Sequence, residues 1–363
     1  LQPLLDDAAS AMDKFKHFLQ TEVAHRAAGD FAVGENRFNR LLQEKHFLDV
    51  DAEALLAFGE MLFQKTESEL QQQAASMQGS ADLPAVLTHV RSQHPAPAEL
   101  LDTYRKRMRE AHKWLQAHEL VTLPENECLH IQETPAFLRS LIPFAAYEPP
   151  LSTDSRQRGL YYITTVDDEA LLAEHNHYSI DLTSVHESYP GHHLQFVTAN
   201  TRYADNMTRS LFASASLYEG WALYCEDLME EQGFLDKEEH RFIMMRDRLW
   251  RALRVIIDVK IHTHGLSISG AAKLLVDKLG FDQQQADGEL AWYTTVPTVP
   301  LCYATGYALI KAVREYQQQQ PGFDLKAFHD ALLGQGSIAL PLVIRNAFGE
   351  DAWRYARAKV FSQ

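Results

Sequence analysis

The stretch Leu217-Tyr-Glu-Gly-Trp-Ala-Leu-Tyr-Cys-Glu226 constrains the fold more than any other part of the chain. Apolar side chains at Leu217, Tyr218, Trp221, Leu223, Cys225, Leu228 and Met229 surround almost the whole circumference of a helix, which therefore belongs in the interior. A helix buried on every side needs other helices around it, and 363 residues that are 46% apolar can supply them. Yet the same helix carries Glu219 and Glu226, and carboxylates are almost never buried unless they are paired or bind a metal. The two acids lie two turns apart on a stripe shared with Ala215 and Ala222, whose small side chains leave room beside them. This spacing suggests Glu219 as a metal ligand and Glu226 as its supporting neighbour, with ion pairing to arginines as the plain alternative.

The rest of the chain supplies the surrounding helices. Leu4, Leu5, Ala8, Met12, Phe15 and Leu19 recur at steps of three and four, which predicts a helix with one buried face. After a break at Ala27–Asp30, Asp49-Val-Asp-Ala-Glu53 resembles a helix start, and Gln71-Gln72-Gln73 a polar helix end. Gly79-Ser80 and His94–Pro97 read as loops, and a charged helix is expected between Ala98 and Leu120. Prolines 124, 135, 143, 149 and 150 forbid a long helix in 121–165, where Val121–Leu123 and Leu160–Thr165 read as strands of a small sheet. Leu160–Thr165 would be either an edge strand able to hold an extended peptide or a structural hairpin. Helices resume from Val166. The expected fold is thus mainly α: a large helical body with a deep cleft and a small β-sheet at its edge. Residues 1–120 form an N-terminal helical region continuous with 121–363.

A net charge of −15 argues against nucleic acid or an anionic membrane as partner, and no apolar run is long enough to span a bilayer. Cys128, Cys225 and Cys302 are too few and too far apart for a disulfide framework or a thiolate metal site. Oligomeric state leaves no trace in the sequence.

His186-Glu187-Ser-Tyr-Pro190-Gly191-His192-His193 opens like the helical zinc signature His-Glu-x-x-His, with Glu187 placed as a general base. Position i+4 is Pro190, and the next histidines stand at i+6 and i+7. On a regular helix, i+6 lies about 120° away from His186, and i+7 about 10.5 Å further along the axis. Zinc requires ligand nitrogens only about 3 Å apart, so neither position works on an undistorted helix. If Pro190-Gly191 bulges out as two extra residues, His192 takes the place of i+4. His193 then points elsewhere, towards substrate or a carboxylate.

His-Glu-x-x-Pro-Gly-His-His followed by Glu-Gly-Trp-Ala-Leu-Tyr resembles the bacterial "domain of unknown function 885" family, grouped with gluzincin-type zinc peptidases. The resemblance continues through Arg251-Ala-Leu-Arg254 with Asp258 and His262, through Pro300-Leu-Cys-Tyr303 with Gly306, and through Phe328–Ser337. It implies a gluzincin- or thermolysin-like core and one zinc ion held by His186, His192 and Glu219, with Glu187 as general base. It also implies a peptide or small amide substrate, a bacterial source with the cell envelope favoured over the cytoplasm, and a chain that is the C-terminal part of a longer protein. A non-peptide amide or ester hydrolase is the alternative enzyme; a helical binding protein with a structural or decayed metal site is the non-catalytic one.

Asp247, Arg251, Arg254, Asp258 and His262 form a polar stripe on an otherwise apolar helix, which must be an ion-paired seam or one wall of a polar cleft. In the second case His262 or an arginine contacts substrate, an arginine through a carboxylate. Tyr303, the tyrosine of the family motif, is the expected donor to a transition-state oxyanion, with Tyr307 in reserve. His175 and His177 read as surface histidines, and Gly334 and Gly336 as a turn.

Overall fold

The computed structural model describes residues 1–78, 82–139, 141–166, 168–203, 205–206, 208–209 and 212–362. The chain starts with α1 (Gln2–Phe18), α2 (Glu35–Glu44), α3 (Ala52–Gln78), α4 (Leu83–Arg91) and α5 (Leu100–His118). A sheet of β1 (Cys128–Glu133), β2 (Ala145–Glu148) and β3 (Arg158–Ile163) follows. Next come α6 (Glu169–Leu172), α7 (His177–Glu187), α8 (His192–Arg202), α9 (Ala215–Glu231) and α10 (Glu238–Thr263). The chain closes with α11 (Ile268–Leu279), α12 (Gln283–Thr295), α13 (Cys302–Gln318), α14 (Leu325–Leu333), α15 (Leu340–Phe348) and α16 (Glu350–Phe361). The architecture is mainly helical with a small sheet. None of the described helices is long and apolar enough to cross a membrane.

The all-round apolar helix is α9, and it is interior: Leu217, Trp221, Tyr224, Cys225 and Leu228 are fully buried. It runs against α13 at backbone contact. A methyl group on Gly220 would lie 2.5 Å from the Gly306 carbonyl carbon, and one on Gly306 would lie 2.2 Å from the Ser216 oxygen. Only two facing glycines permit that approach, and it sets where α9 presents its acids. α10 lies along α3, and α5 packs on α7, so the helices from α2 onward share one continuous core with the rest of the chain.

Several local expectations need correcting. α1 forms as its periodicity predicts, but none of its residues is buried; Leu4 is 70% and Met12 73% exposed, because no other element among the described residues covers its apolar face. The Asp51 side chain accepts a hydrogen bond from the Ala54 amide at 2.9 Å and so opens α3. The helix does not end at Gln71–Gln73 but continues to Gln78, its inner face held by buried Leu70 and Ala74. Gly79-Ser80 lies outside the described residues. Val121–Leu123 is not a strand: the Thr122 amide and hydroxyl both bond to the Asp330 carboxylate at 2.7 Å, which replaces a strand partner. The sheet order is β1-β3-β2, with β1 parallel and β2 antiparallel to β3, so the Leu160 strand is central and β2 is an edge. His175 is buried rather than exposed, stacked on Phe144 and hydrogen-bonded to the Tyr104 hydroxyl at 3.0 Å.

Candidate metal centre

α7 is capped by Asn176, whose side chain accepts from the Ser179 amide, and stops at Glu187; α8 starts at His192. The four residues between them do not continue either helix. Ser188 still donates to the Ser184 carbonyl in ordinary helical fashion. The next bonds run from Gly191 N to Val185 O at 3.1 Å and from Leu194 N to Ser188 O at 3.3 Å. Each spans six residues instead of four, so the backbone has absorbed two extra residues. Pro190 has no amide proton to leave unpaired there, and its carbonyl accepts from the Trp221 indole at 2.8 Å, which pins the turn to α9. Gly191 sits so tightly under α7 that a β-carbon would fall 1.8 Å from the His186 carbonyl oxygen.

The outcome is a three-helix convergence. One ligand atom each from His186 on α7, His192 on α8 and Glu219 on α9 lie within 4.8 Å of one another. Nε2 of His192 and of His186 face Glu219 Oε2 at 3.3 and 3.7 Å. The two imidazole planes are nearly perpendicular, so both nitrogens can aim at one point. Glu226, two turns along the stripe from Glu219, accepts from His186 Nδ1 at 2.7 Å. A carboxylate only accepts, so Nδ1 carries a proton, and Nε2 is the nitrogen that faces the cluster and would bind an ion.

The electrostatics show what the cluster lacks. Burial works against charge on His186, but Glu219 and Glu226 outweigh it and raise its pKa to about 10. Burial likewise opposes the Glu219 carboxylate, yet the His192 and His186 imidazoles hold its pKa well below the usual range. Glu219 Oε2 is nevertheless buried without a partner of hydrogen-bonding geometry. Two imidazoles and a carboxylate converging on a buried space, with one oxygen unsatisfied, fit a divalent metal ion with nitrogen and oxygen preference.

Glu187, next to His186, is half-buried and has no hydrogen-bond partner among the described residues. The hydroxyl of Tyr147 on β2 is pushed up by burial and then by the charge of Glu187. His193 points away from the cluster: Nε2 bonds to Glu127 at 2.6 Å and Nδ1 to the Tyr147 hydroxyl at 3.0 Å. Tyr189 also donates to Glu127, at 2.5 Å. A methyl group on Gly159 would fall 2.6 Å from His193 Nδ1, so this glycine makes room for the imidazole. Tyr147, Phe196 and Tyr218, all half-buried, surround the His192 ring.

Tyr303 lies beside the cluster, its hydroxyl pushed well up by burial and then by the Glu219 charge, with the Arg254 guanidinium 4.6 Å from its ring centre. Tyr307 is engaged elsewhere, donating to Asp227 under the Arg248 guanidinium. His262 is not brought to the centre. It is buried against Phe31 and Phe38, with Nε2 on the Tyr293 carbonyl at 3.2 Å. Arg254 pairs with Glu289, and Asp258 accepts from the Thr298 amide, so this half of the stripe is a buried seam. Nothing in the sequence marks Glu127 or Tyr147: one is in a loop and the other on a short strand, with no spacing that ties either to the histidines.

Residues 1–346 match the family described as bacterial protein of unknown function, DUF885. The fold is similar to that of a proposed lipoprotein of unknown function from Shewanella oneidensis, with a TM-score of 0.79 and 23% identity over 94% of this chain and 65% of that one. A proposed lipoprotein from Colwellia psychrerythraea is similar too, with a TM-score of 0.77 and 19% identity over 87% of this chain and 56% of that one. The chain therefore spans less than two thirds of the length of either solved relative. No curated protein matches it significantly.

Proposed function

We propose that this chain, which belongs to the bacterial DUF885 family, is a zinc-dependent hydrolase, specifically a metallopeptidase of the gluzincin type with a thermolysin-like core. The observation that carries the reading is the convergence of His186, His192 and Glu219 from three helices, with the unpaired Glu187 immediately beside the first ligand. His186 and His192 through Nε2 and Glu219 through a carboxylate oxygen would hold the ion, a set of three protein donors that suits a catalytic rather than a closed structural site. When bound, zinc supplies Lewis acidity and lowers the pKa of water towards neutrality.

The protein groups divide the remaining work. Glu187 takes the proton of the attacking water and passes it to the leaving amine. Glu226 keeps His186 in the tautomer and orientation that the ion requires. The Tyr303 hydroxyl donates to the oxyanion that develops on the substrate carbonyl. A cell-envelope location is also proposed; it rests on the lipoprotein names of the two similar structures.

Metal analysis of the gently purified chain should find close to one zinc per molecule; occupancy below about a tenth would count against the site. Glu187→Gln should keep the metal and lose hydrolysis of a peptide library by about 10²-fold or more. Retained hydrolysis would remove Glu187 as the base. His192→Ala should lose zinc while His193→Ala keeps it.

A further inference from the structure

Three arginines, Arg248, Arg251 and Arg254, follow one another at steps of three on α10, and two of them are matched. Arg248 pairs with Asp227, and Arg254 binds Glu289 at 2.9 Å and the Tyr293 hydroxyl at 3.1 Å. Arg251, between them, has no carboxylate within ion-pair distance among the described residues. Its hydrogen bond is a long one, at 3.5 Å, to the Asp247 backbone carbonyl, and its Nε is buried without an acceptor. Asp247 lies one turn away but does not neutralise it.

A half-buried guanidinium without a counter-ion is costly, and its rigid fork suits a planar oxyanion. Its surroundings place it towards the metal centre. Arg251 and Arg254 both lie 4.2 Å from the centre of the Trp250 indole, and Arg254 also covers the ring of Tyr303. Trp250 and Arg254 thus connect the unpaired guanidinium to Tyr303, which lies beside the cluster.

We propose that Arg251 binds a carboxylate of the substrate and so selects peptides that carry one close to the scissile bond. This rests on the metallopeptidase reading. The carboxylate is either the peptide's C-terminus or an acidic side chain, and three peptides of one core sequence separate these sources: the free acid, its C-terminal amide, and an amide whose last residue is aspartate.

At least one carboxylate-bearing peptide should be cleaved with kcat/KM about tenfold or more above the uncharged amide, equivalent to about 1.4 kcal/mol. Preference for the free acid identifies the C-terminus; equal preference for both acids identifies carboxylate recognition without regard to source. In Arg251→Gln the acid-to-amide ratio should fall to near one. Arg251→Lys should keep part of the preference, because lysine retains the charge but not the fork. A wild type without preference, or an Arg251→Gln variant with the ratio unchanged, overturns the proposal. If none of the peptides is cleaved, the metallopeptidase reading fails separately. Calorimetric binding of the free acid and its amide to zinc-loaded protein then decides the matter for Arg251. Tighter binding of the acid that disappears in Arg251→Gln supports the assignment, and equal binding of both peptides refutes it.

Discussion

Replacing Gly191 by alanine tests the two-residue insertion directly. The added carbon would lie 1.8 Å from the His186 carbonyl oxygen and 2.4 Å from that of Val185, and both are backbone atoms that cannot rotate away. To reach even a 3.0 Å contact, the α7 and α8 backbones must separate by about 1.2 Å. Overpacking of a tight site costs about 1–3 kcal/mol, and a contact this short belongs at the upper end. The same displacement acts on the ligands, since metal–ligand distances tolerate only about ±0.2 Å. Gly191→Ala should therefore lower the midpoint of thermal unfolding by several degrees and weaken zinc binding by about 10–100-fold or more. The assays are calorimetric unfolding of the metal-free protein and competition against a fluorescent chelator. Gly288→Ala is the internal control: no atom lies within 4 Å of its added methyl, and it sits inside α12, where alanine should stabilise by about 0.5–1 kcal/mol. A Gly191→Ala protein with unchanged unfolding and unchanged zinc affinity would refute the packing of α8 under α7.

Glu226→Gln removes the charged acceptor of His186 Nδ1 but keeps its shape, so zinc affinity should fall by about 10–100-fold while far-ultraviolet circular dichroism is unchanged. An unaltered affinity would show that Glu226 does not support the ligand. Burial holds several imidazoles neutral, with the pKa of His46 lowered to about 3 and those of His175 and His329 to about 4. Below the unfolded histidine pKa of about 6.5, the unfolded chain takes up protons that these folded groups refuse, so they lower stability as pH falls from 6.5 towards 4. For His329 the loss at pH 4.5 is roughly 2–3 kcal/mol. Urea unfolding of the metal-free protein should accordingly show a shallower pH slope over this range in His329→Asn than in the wild type, and parallel slopes would contradict the assignment.

The centre was largely legible in the sequence because its members obey helical arithmetic. An apolar circumference puts α9 in the interior, and the seven-residue spacing of Glu219 and Glu226 then aims both acids at α7. The two-residue excess between Glu187 and His192 is visible as Pro190-Gly191, and the six-residue hydrogen bonds across it are its structural counterpart. What was illegible depends on which surface meets which. The pattern of α1 specifies an amphipathic helix equally well whether or not anything covers it. His262 carries a suggestive motif position, but rotation of α10 turns it towards Phe31 and Phe38, from a segment far away in sequence. Val121–Leu123 has strand composition, but a single carboxylate, Asp330, takes the hydrogen bonds that a neighbouring strand would need.

The pair His192-His193 also explains why the small sheet belongs to the centre. Successive helical residues diverge by about 100°, so two adjacent histidines at the start of α8 cannot serve the same partner. His192 faces Glu219, and His193 faces Glu127 and Tyr147. Because Glu127 can only accept, His193 donates from Nε2, which leaves Nδ1 as acceptor for the Tyr147 hydroxyl. That bond fixes the edge strand β2 to α8 and sets the Tyr147 ring almost parallel to that of His192, their centres 6.2 Å apart. One histidine thus faces the candidate ligand set while its neighbour anchors the wall beside it, so displacing α8 would disturb both. His193, the last histidine of the motif, is a joint between helix and sheet, which is why no metal-ligand spacing could account for it.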